Sequence, residues 1–151
     1  MSNCLNPYTS YVDIKVCKSG VLERYKQTVS LKQLESLMEN NEIYLTTLNG
    51  YSKILKYIEY GIKDIYRIYV DNSTHYLDCT LDHSLFVSET EFHPLKHLKS
   101  GDEILSVNKT KIISKIEFLE KMEIVDLEID NCSHNFYCND LLVGDINCNK
   151  Y

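Results

Sequence analysis

Asp126-Leu-Glu-Ile-Asp-Asn-Cys-Ser-His134-Asn-Phe-Tyr-Cys-Asn-Asp-Leu-Leu-Val143, followed after a short gap by Asn147-Cys148, is the stretch around which the rest of the chain is organised. An alternating, strand-like run delivers an acid and then a histidine, a second strand follows, and the chain reaches an asparagine joined to a thiol. Such a pair can do peptide-bond chemistry on its own backbone. The asparagine amide can attack its own carbonyl, closing a succinimide and cutting the chain, and the cysteine can hold an acyl group as a thioester. Taken alone, Asn147-Cys148 has a plainer reading, a surface asparagine in a polar tail.

Outward from that stretch, the composition narrows the class. A chain of 151 residues is read as one domain, since about 150 residues suffice to bury about two-thirds of the unfolded surface. The formal charge of −6, with basic residues scattered rather than striped, gives no electrostatic footprint for nucleic acid. No run approaches the ~20 apolar residues of a membrane span, and no basic and apolar signal segment precedes Cys4. A soluble, cytoplasmic, monomeric protein is expected. The six cysteines are therefore read as free thiols rather than a disulfide framework. Twelve tyrosines beside many Ile, Val and Thr, with only five glycines and two prolines, favour pleated, half-buried strands.

The local patterns agree. Ile14 to Val16 alternates as a strand that Ser19-Gly20 ends. Ser30-Leu-Lys-Gln33 has the form of a capping box, and Leu31, Leu34, Leu37 and Met38 recur at helical spacing up to Asn40-Asn41. Ile43 to Thr47 and Tyr51 to Tyr60 form a hairpin around Asn49-Gly50, which predicts a type I′ turn. Gly61 separates these from a second pair, Ile65 to Val70 and His75 to Thr80, joined by Asp71-Asn72-Ser73. Pro94 to Leu98 predicts one helical turn, Ser100-Gly101-Asp102 a turn, and Ile104 to Val107 a strand. Asn108 to Lys111 reads as a polar loop, and strands are expected over Ile112 to Phe118 and Glu123 to Ile129. Many short strands with one or two short helices predict an all-β fold.

Four blocks in order carry a resemblance. Cys4-Leu-Asn-Pro-Tyr-Thr9 resembles the opening block of inteins, Thr80-Leu-Asp-His83 their Thr-x-x-His block, and Leu98-Lys-Ser-Gly-Asp102 a turn common between their central strands. Asp126 to Val143 is similar to the block before their C-terminal junction. The resemblance implies the Hint fold, a horseshoe of curved β-hairpins, in a mini-intein without an endonuclease. It would occupy 4–147, with 1–3 and 148–151 as remnants of the host protein, the flanking exteins. It implies autocatalytic protein splicing without metal or nucleotide, the flanking segments being the substrate and a partner half being possible if the gene is split.

The resemblance also implies the roles. Cys4 attacks the preceding carbonyl, Thr80 orients that amide, and His83 gives the departing nitrogen a proton. Cys148 takes over the acyl group with Asp126 handling its proton, and Asn147 cyclises with help from His134. The chain departs from the family at Ile146, where a histidine is usual, and the Asn147-Cys148 junction needs two residues beyond a gapless match, which would put Gly144-Asp145 at the usual His-Asn positions. Three rivals stand beside this reading: a Hint domain that cleaves without ligating, a zinc module using Cys132, Cys138, His93 and His97, and a non-catalytic β-rich interaction protein.

Overall fold

The structure, a computed structural model, describes residues 4–72 and 75–148. The expected host remnant 1–3, and all but the first residue of the expected remnant 148–151, lie outside the described residues, as does Ser73 of the predicted turn.

Two long strands form the spine. Strand β5 (Gly50–Val70) and strand β10 (Thr110–Ile129) pair antiparallel along almost their whole length. Around them lie β1 (Tyr11–Lys18), β2 (Val21–Leu22), β3 (Gln27–Ser30), β4 (Glu42–Thr47), β6 (His75–Cys79) and β9 (Glu103–Leu105) in one eight-stranded sheet. A second sheet has the order β11 (Asn135–Cys138), β12 (Leu141–Gly144), β7 (Ser84–Phe86), β8 (Phe92–Pro94). Helix α1 (Leu31–Leu37) and a single 3₁₀ turn (Leu95–His97) complete the described elements. No helix among the described residues is long and apolar enough to cross a membrane. A continuous core joins the sheets, from Ile14, Leu31, Leu34 and Leu45 through Ile68 and Leu77 to Phe136 and Val143.

The all-β expectation holds, and so does the capping box. Ser30 Oγ accepts from the Gln33 backbone N–H and Gln33 Oε1 accepts from the Ser30 N–H, satisfying orphan donors at the start of α1. Three expectations are corrected. Gly61 does not divide two hairpins: the register steps from Ile62 opposite Glu123 to Tyr60 opposite Ile124, so Gly61 is the extra residue of a β-bulge inside one strand. A second bulge at Leu119 lies where a break in β10 was expected, and Thr110 and Lys111 belong to that strand rather than to a loop. Finally, the Asn49-Gly50 turn is not type I′. Only Gly50 of that pair has a positive φ, at 98°, whereas a type I′ turn needs two.

Bulges insert a local bend and extra twist. With four register shifts between β5 and β10, the long ribbon curves instead of projecting flat into solvent.

Candidate functional site

The N-terminal end of the described chain completes the sheet. Leu5 fits between β6 and β10, bridged to Cys79 on one side and to Val125 on the other. Its N–H donates to the Val125 carbonyl at 2.8 Å and its carbonyl accepts from the Val125 N–H at 2.9 Å. One residue earlier, Cys4 and Thr80 grip each other. The Cys4 N–H donates to Thr80 Oγ1 at 3.3 Å, and the Thr80 N–H donates to the Cys4 carbonyl at 3.0 Å. Thr80 is available for this because β6 ends at Cys79 and the chain turns, the His83 N–H closing onto the Thr80 carbonyl at 3.1 Å. Cys4 and His83 are fully buried.

A half-buried ion pair braces this turn from the β6 side. Arg67 makes a two-pronged contact to Asp78, at 2.8 and 2.9 Å, and Thr9 Oγ1 donates to the same carboxylate at 2.8 Å. The planar guanidinium suits that geometry, and its hydrogen bonds to the carboxylate offset the loss of water.

The C-terminal end docks on the same strand. The Ile146 N–H donates to the Leu127 carbonyl at 2.9 Å, so the two ends of the described chain meet β10 at Val125 and Leu127. Backbone groups two residues apart on a strand point to the same edge, and Asp126 lies between them in sequence. Its Oδ1 accepts the Leu127 N–H at 2.7 Å, while Oδ2 meets no hydrogen-bond donor among the described residues. Burial pushes this carboxyl well above its ordinary value, and the nearby Asp145 adds to the effect.

Residues 145–148 form a tight turn. The Cys148 N–H donates to the Asp145 carbonyl at 3.0 Å, and Asp145 Oδ1 accepts the Asn147 N–H at 2.9 Å. His134, at the entry to β11 with φ 53°, brings Nδ1 to 3.5 Å from Asp145 Oδ1. Cys148 is buried against Phe86 and Leu142. Its thiol is pushed up to about 12, chiefly by burial, with Asp145 and Asp126 adding and a hydrogen bond with Ser84 opposing. Gly144 makes the space: a Cβ there would lie 2.5 Å from Cys148 Cβ and 2.6 Å from Sγ.

Thus Cys4, Thr80 and His83 gather at the N-terminal end of the described chain, and His134, Asn147 and Cys148 each contact Asp145 or its backbone at the C-terminal end, with Asp126 lying between Val125 and Leu127, on which the two ends dock. Asp145, Ser84 and Gly144 belong to the same neighbourhood, though the sequence reading missed their part in it. Only the gapless alignment, which put Gly144 and Asp145 at family positions, pointed toward two of them. The zinc set does not assemble. Cys132 is exposed and Cys138 is buried in β11, and no group of three potential metal ligands occurs among the described residues.

No family model matches the sequence, and no curated protein matches it. Solved structures do. The VidaL intein, a selenomethionine variant, superposes with a TM-score of 0.85 at 22% identity, over 97% of this chain and 99% of that one. This chain has the intein fold. An intein from a hyperthermophile matches with a TM-score of 0.76 at 15% identity, over 94% of this chain and 99% of the other. A DnaB intein from Synechocystis sp. PCC 6803 matches with 0.71 at 18% identity, over 94% and 97%. The all-β Hint horseshoe expected from the four sequence blocks is therefore the observed architecture. In this intein fold the long β5–β10 ribbon is the curved spine, and the outer edge of β10 receives both ends of the described chain.

Proposed function

We propose that the chain is a self-splicing mini-intein, spanning 4–147, whose substrate is its own flanking backbone. The observation that carries this reading is the paired contact between Cys4 and Thr80, in which a threonine hydroxyl holds the nitrogen of the peptide bond to be broken.

Splicing starts when the Cys4 sulfur attacks the carbonyl carbon of residue 3. The S–C bond forms, the C–N bond to Cys4 breaks, and the nitrogen gains a proton. This exchanges a resonance-stabilised amide for a thioester, so it runs uphill unless the leaving nitrogen is oriented and protonated. Thr80 orients it and His83 supplies the proton. The Cys148 thiol then attacks the thioester. A thiol that resists ionisation needs a base, and burial raises the proton affinity of Asp126, which suits it to accept that proton. Asn147 Nδ2 next attacks its own carbonyl, closing a succinimide and releasing the Cys148 amine, with His134 assisting proton transfer. A sulfur-to-nitrogen shift finally leaves an ordinary peptide bond between the flanking segments.

A second reading is a Hint domain that cleaves without ligating. Ile146, which carries no titratable group beside the scissile Asn147, is what favours it. To separate them, the chain is placed between two folded carriers and intact masses are followed over hours. A ligated-carrier mass with an excised 4–147 fragment is expected. Separate carriers without ligation would establish the cleaving domain, and a precursor stable even to added thiol would sink both.

A further inference from the structure

Asp145 holds the backbone N–H groups of both Asn147 and Cys148 in the C-terminal turn. Its backbone carbonyl accepts the Cys148 N–H at 3.0 Å, the nitrogen that leaves when Asn147 cyclises. Oδ1 accepts the Asn147 N–H at 2.9 Å, and Oδ2 accepts the Ile129 N–H at 2.9 Å, tying the turn to the edge of β10. The Asp145 N–H in turn donates to the His134 carbonyl at 2.8 Å, and Oδ1 stands 3.5 Å from His134 Nδ1. One fully buried aspartate thereby joins the cyclising residue, the imidazole and the strand that also carries Asp126 through its carboxylate, and the leaving nitrogen through its backbone carbonyl.

We propose that Asp145 is the positioning residue for asparagine cyclisation, acting through His134, whose proton it keeps on Nδ1, in a chain whose penultimate residue, Ile146, offers no such group. This rests on the splicing reading. In the cyclisation, the Nδ2–C bond forms, the C–N bond to Cys148 breaks, Nδ2 gives up a proton and the departing amine gains one. An imidazole whose Nδ1–H faces a carboxylate presents its other nitrogen to carry that proton, the same division of labour by which a buried aspartate sets the tautomer of a catalytic histidine in hydrolases. Burial of Asp145 raises its carboxyl above the ordinary value, which strengthens its hold on a donor facing it. The other titratable groups that act on this cluster are Asp126 on β10 and the Cys148 thiol.

The test uses the full chain with a C-terminal carrier and Cys4→Ala, so that C-terminal cleavage proceeds alone and is timed by intact mass. Asp145→Asn is expected to slow release more than tenfold, the product still ending at Asn147. In a His134→Gln background the same change is expected to alter the rate less than twofold, because its effect passes through the imidazole. In the Asn147→Ala protein, ¹⁵N spectra of His134, assigned by its loss in His134→Gln, are expected to show the Nδ1–H tautomer. Asp145→Asn should lose that preference while amide shifts away from the turn stay put. Equal slowing in both backgrounds, or an unchanged tautomer, would overturn the proposal and leave Asp145 a turn-former only. Cleavage after Asp145 rather than Asn147 would overturn it too. Absence of any C-terminal cleavage with Asp145 present would overturn it together with the C-terminal half of the splicing reading, whereas thioester trapped by hydroxylamine in the Cys4-containing protein reports on the N-terminal half separately.

Discussion

Cys4 and Thr80 are joined by two hydrogen bonds that run in opposite directions, the Cys4 N–H donating to the Thr80 hydroxyl oxygen at 3.3 Å and the Thr80 N–H donating to the Cys4 carbonyl at 3.0 Å. The second survives any substitution at position 80 other than proline, and the first depends on the hydroxyl. Removing the side-chain bond alone therefore separates holding the residue from acting on its nitrogen. Thr80→Ala is expected to slow thioester formation about tenfold to a hundredfold, the equivalent of about 1.4–2.7 kcal/mol of transition-state stabilisation. Thr80→Ser should recover most of it. Hydroxylamine trapping of the N-terminal carrier measures both, and equal rates for alanine and threonine would refute the role.

Asp126 links function to acid stability. Burial lifts its carboxyl well above the ordinary 3.8, and Asp145 moves in the same direction. Between the unfolded and folded values the native protein binds more protons than the unfolded chain, so stability falls as pH rises from about 4 through the folded-state values. Asp126→Asn is expected to flatten that decline and to raise the melting temperature at pH 8. It should also slow transfer to Cys148 about a hundredfold, within the range for loss of a general base. Calorimetry across pH 4 to 9 checks the first part, and a melting temperature lower than the parent's at pH 8 would contradict it.

Gly144 is expected to tolerate no side chain. A Cβ there would lie 2.5 Å from Cys148 Cβ and 3.1 Å from Ser84 Cβ, inside any normal van der Waals contact. Gly144→Ala should displace Cys148 and cut formation of the branched intermediate about tenfold or more, while thioester at Cys4 still forms. Gel or mass detection of the branched species settles this, and alanine that ligates at the parental rate would show that Cys148 reacts from elsewhere.

Asn139 ties the second sheet to the first. Its Oδ1 accepts the Tyr11 N–H at 2.7 Å, and Nδ2 donates to the Thr9 and Tyr76 carbonyls, each at 3.0 Å. It does so at φ 50°, a conformation asparagine adopts more readily than most residues. Asn139→Ala loses three hydrogen bonds worth about 0.5–1.5 kcal/mol each. At about 2–4 °C per kcal/mol for a chain of this size, the melting temperature should fall by roughly 3–18 °C. Asn139→Gly relieves the backbone yet loses the same bonds, so it should also be destabilised.

What could be read ahead of the structure was whatever is encoded locally. The Ser30–Gln33 capping box lies within four residues, and its two hydrogen bonds form as written. The strands of the β5–β10 ribbon were legible as hydrophobic and aromatic runs, but their continuity was not. Gly61 looks like a break because a lone glycine weakens an isolated strand, whereas a partner strand can hold it as the extra residue of a bulge. The Asn49-Gly50 pair signals a tight turn reliably and its type poorly, since both common solutions place glycine at a positive φ.

The site divides in the same way. Cys4, Thr80, His83, Asp126 and His134 stand in short blocks whose residue types and spacing are visible along the chain. Asp145 and Ser84 gain their surroundings only when residues more than ten positions apart pack together. An aspartate in a polar C-terminal stretch looks solvated, and nothing in Gly144-Asp-Ile-Asn announces a carboxylate with no exposed surface.

Leu5 and Ile146 rest on Val125 and Leu127 of one strand, positions separated by about 7 Å along β10. On the splicing reading, a host protein interrupted here has to open only as far as a surface loop does, because the inserted domain enters and leaves its fold through neighbouring points. Domains with adjacent termini are accepted by their hosts with little disturbance. On that reading the host can reach its own tertiary structure before excision, the N-terminal segment passing from Cys4 to Cys148 without ever being released.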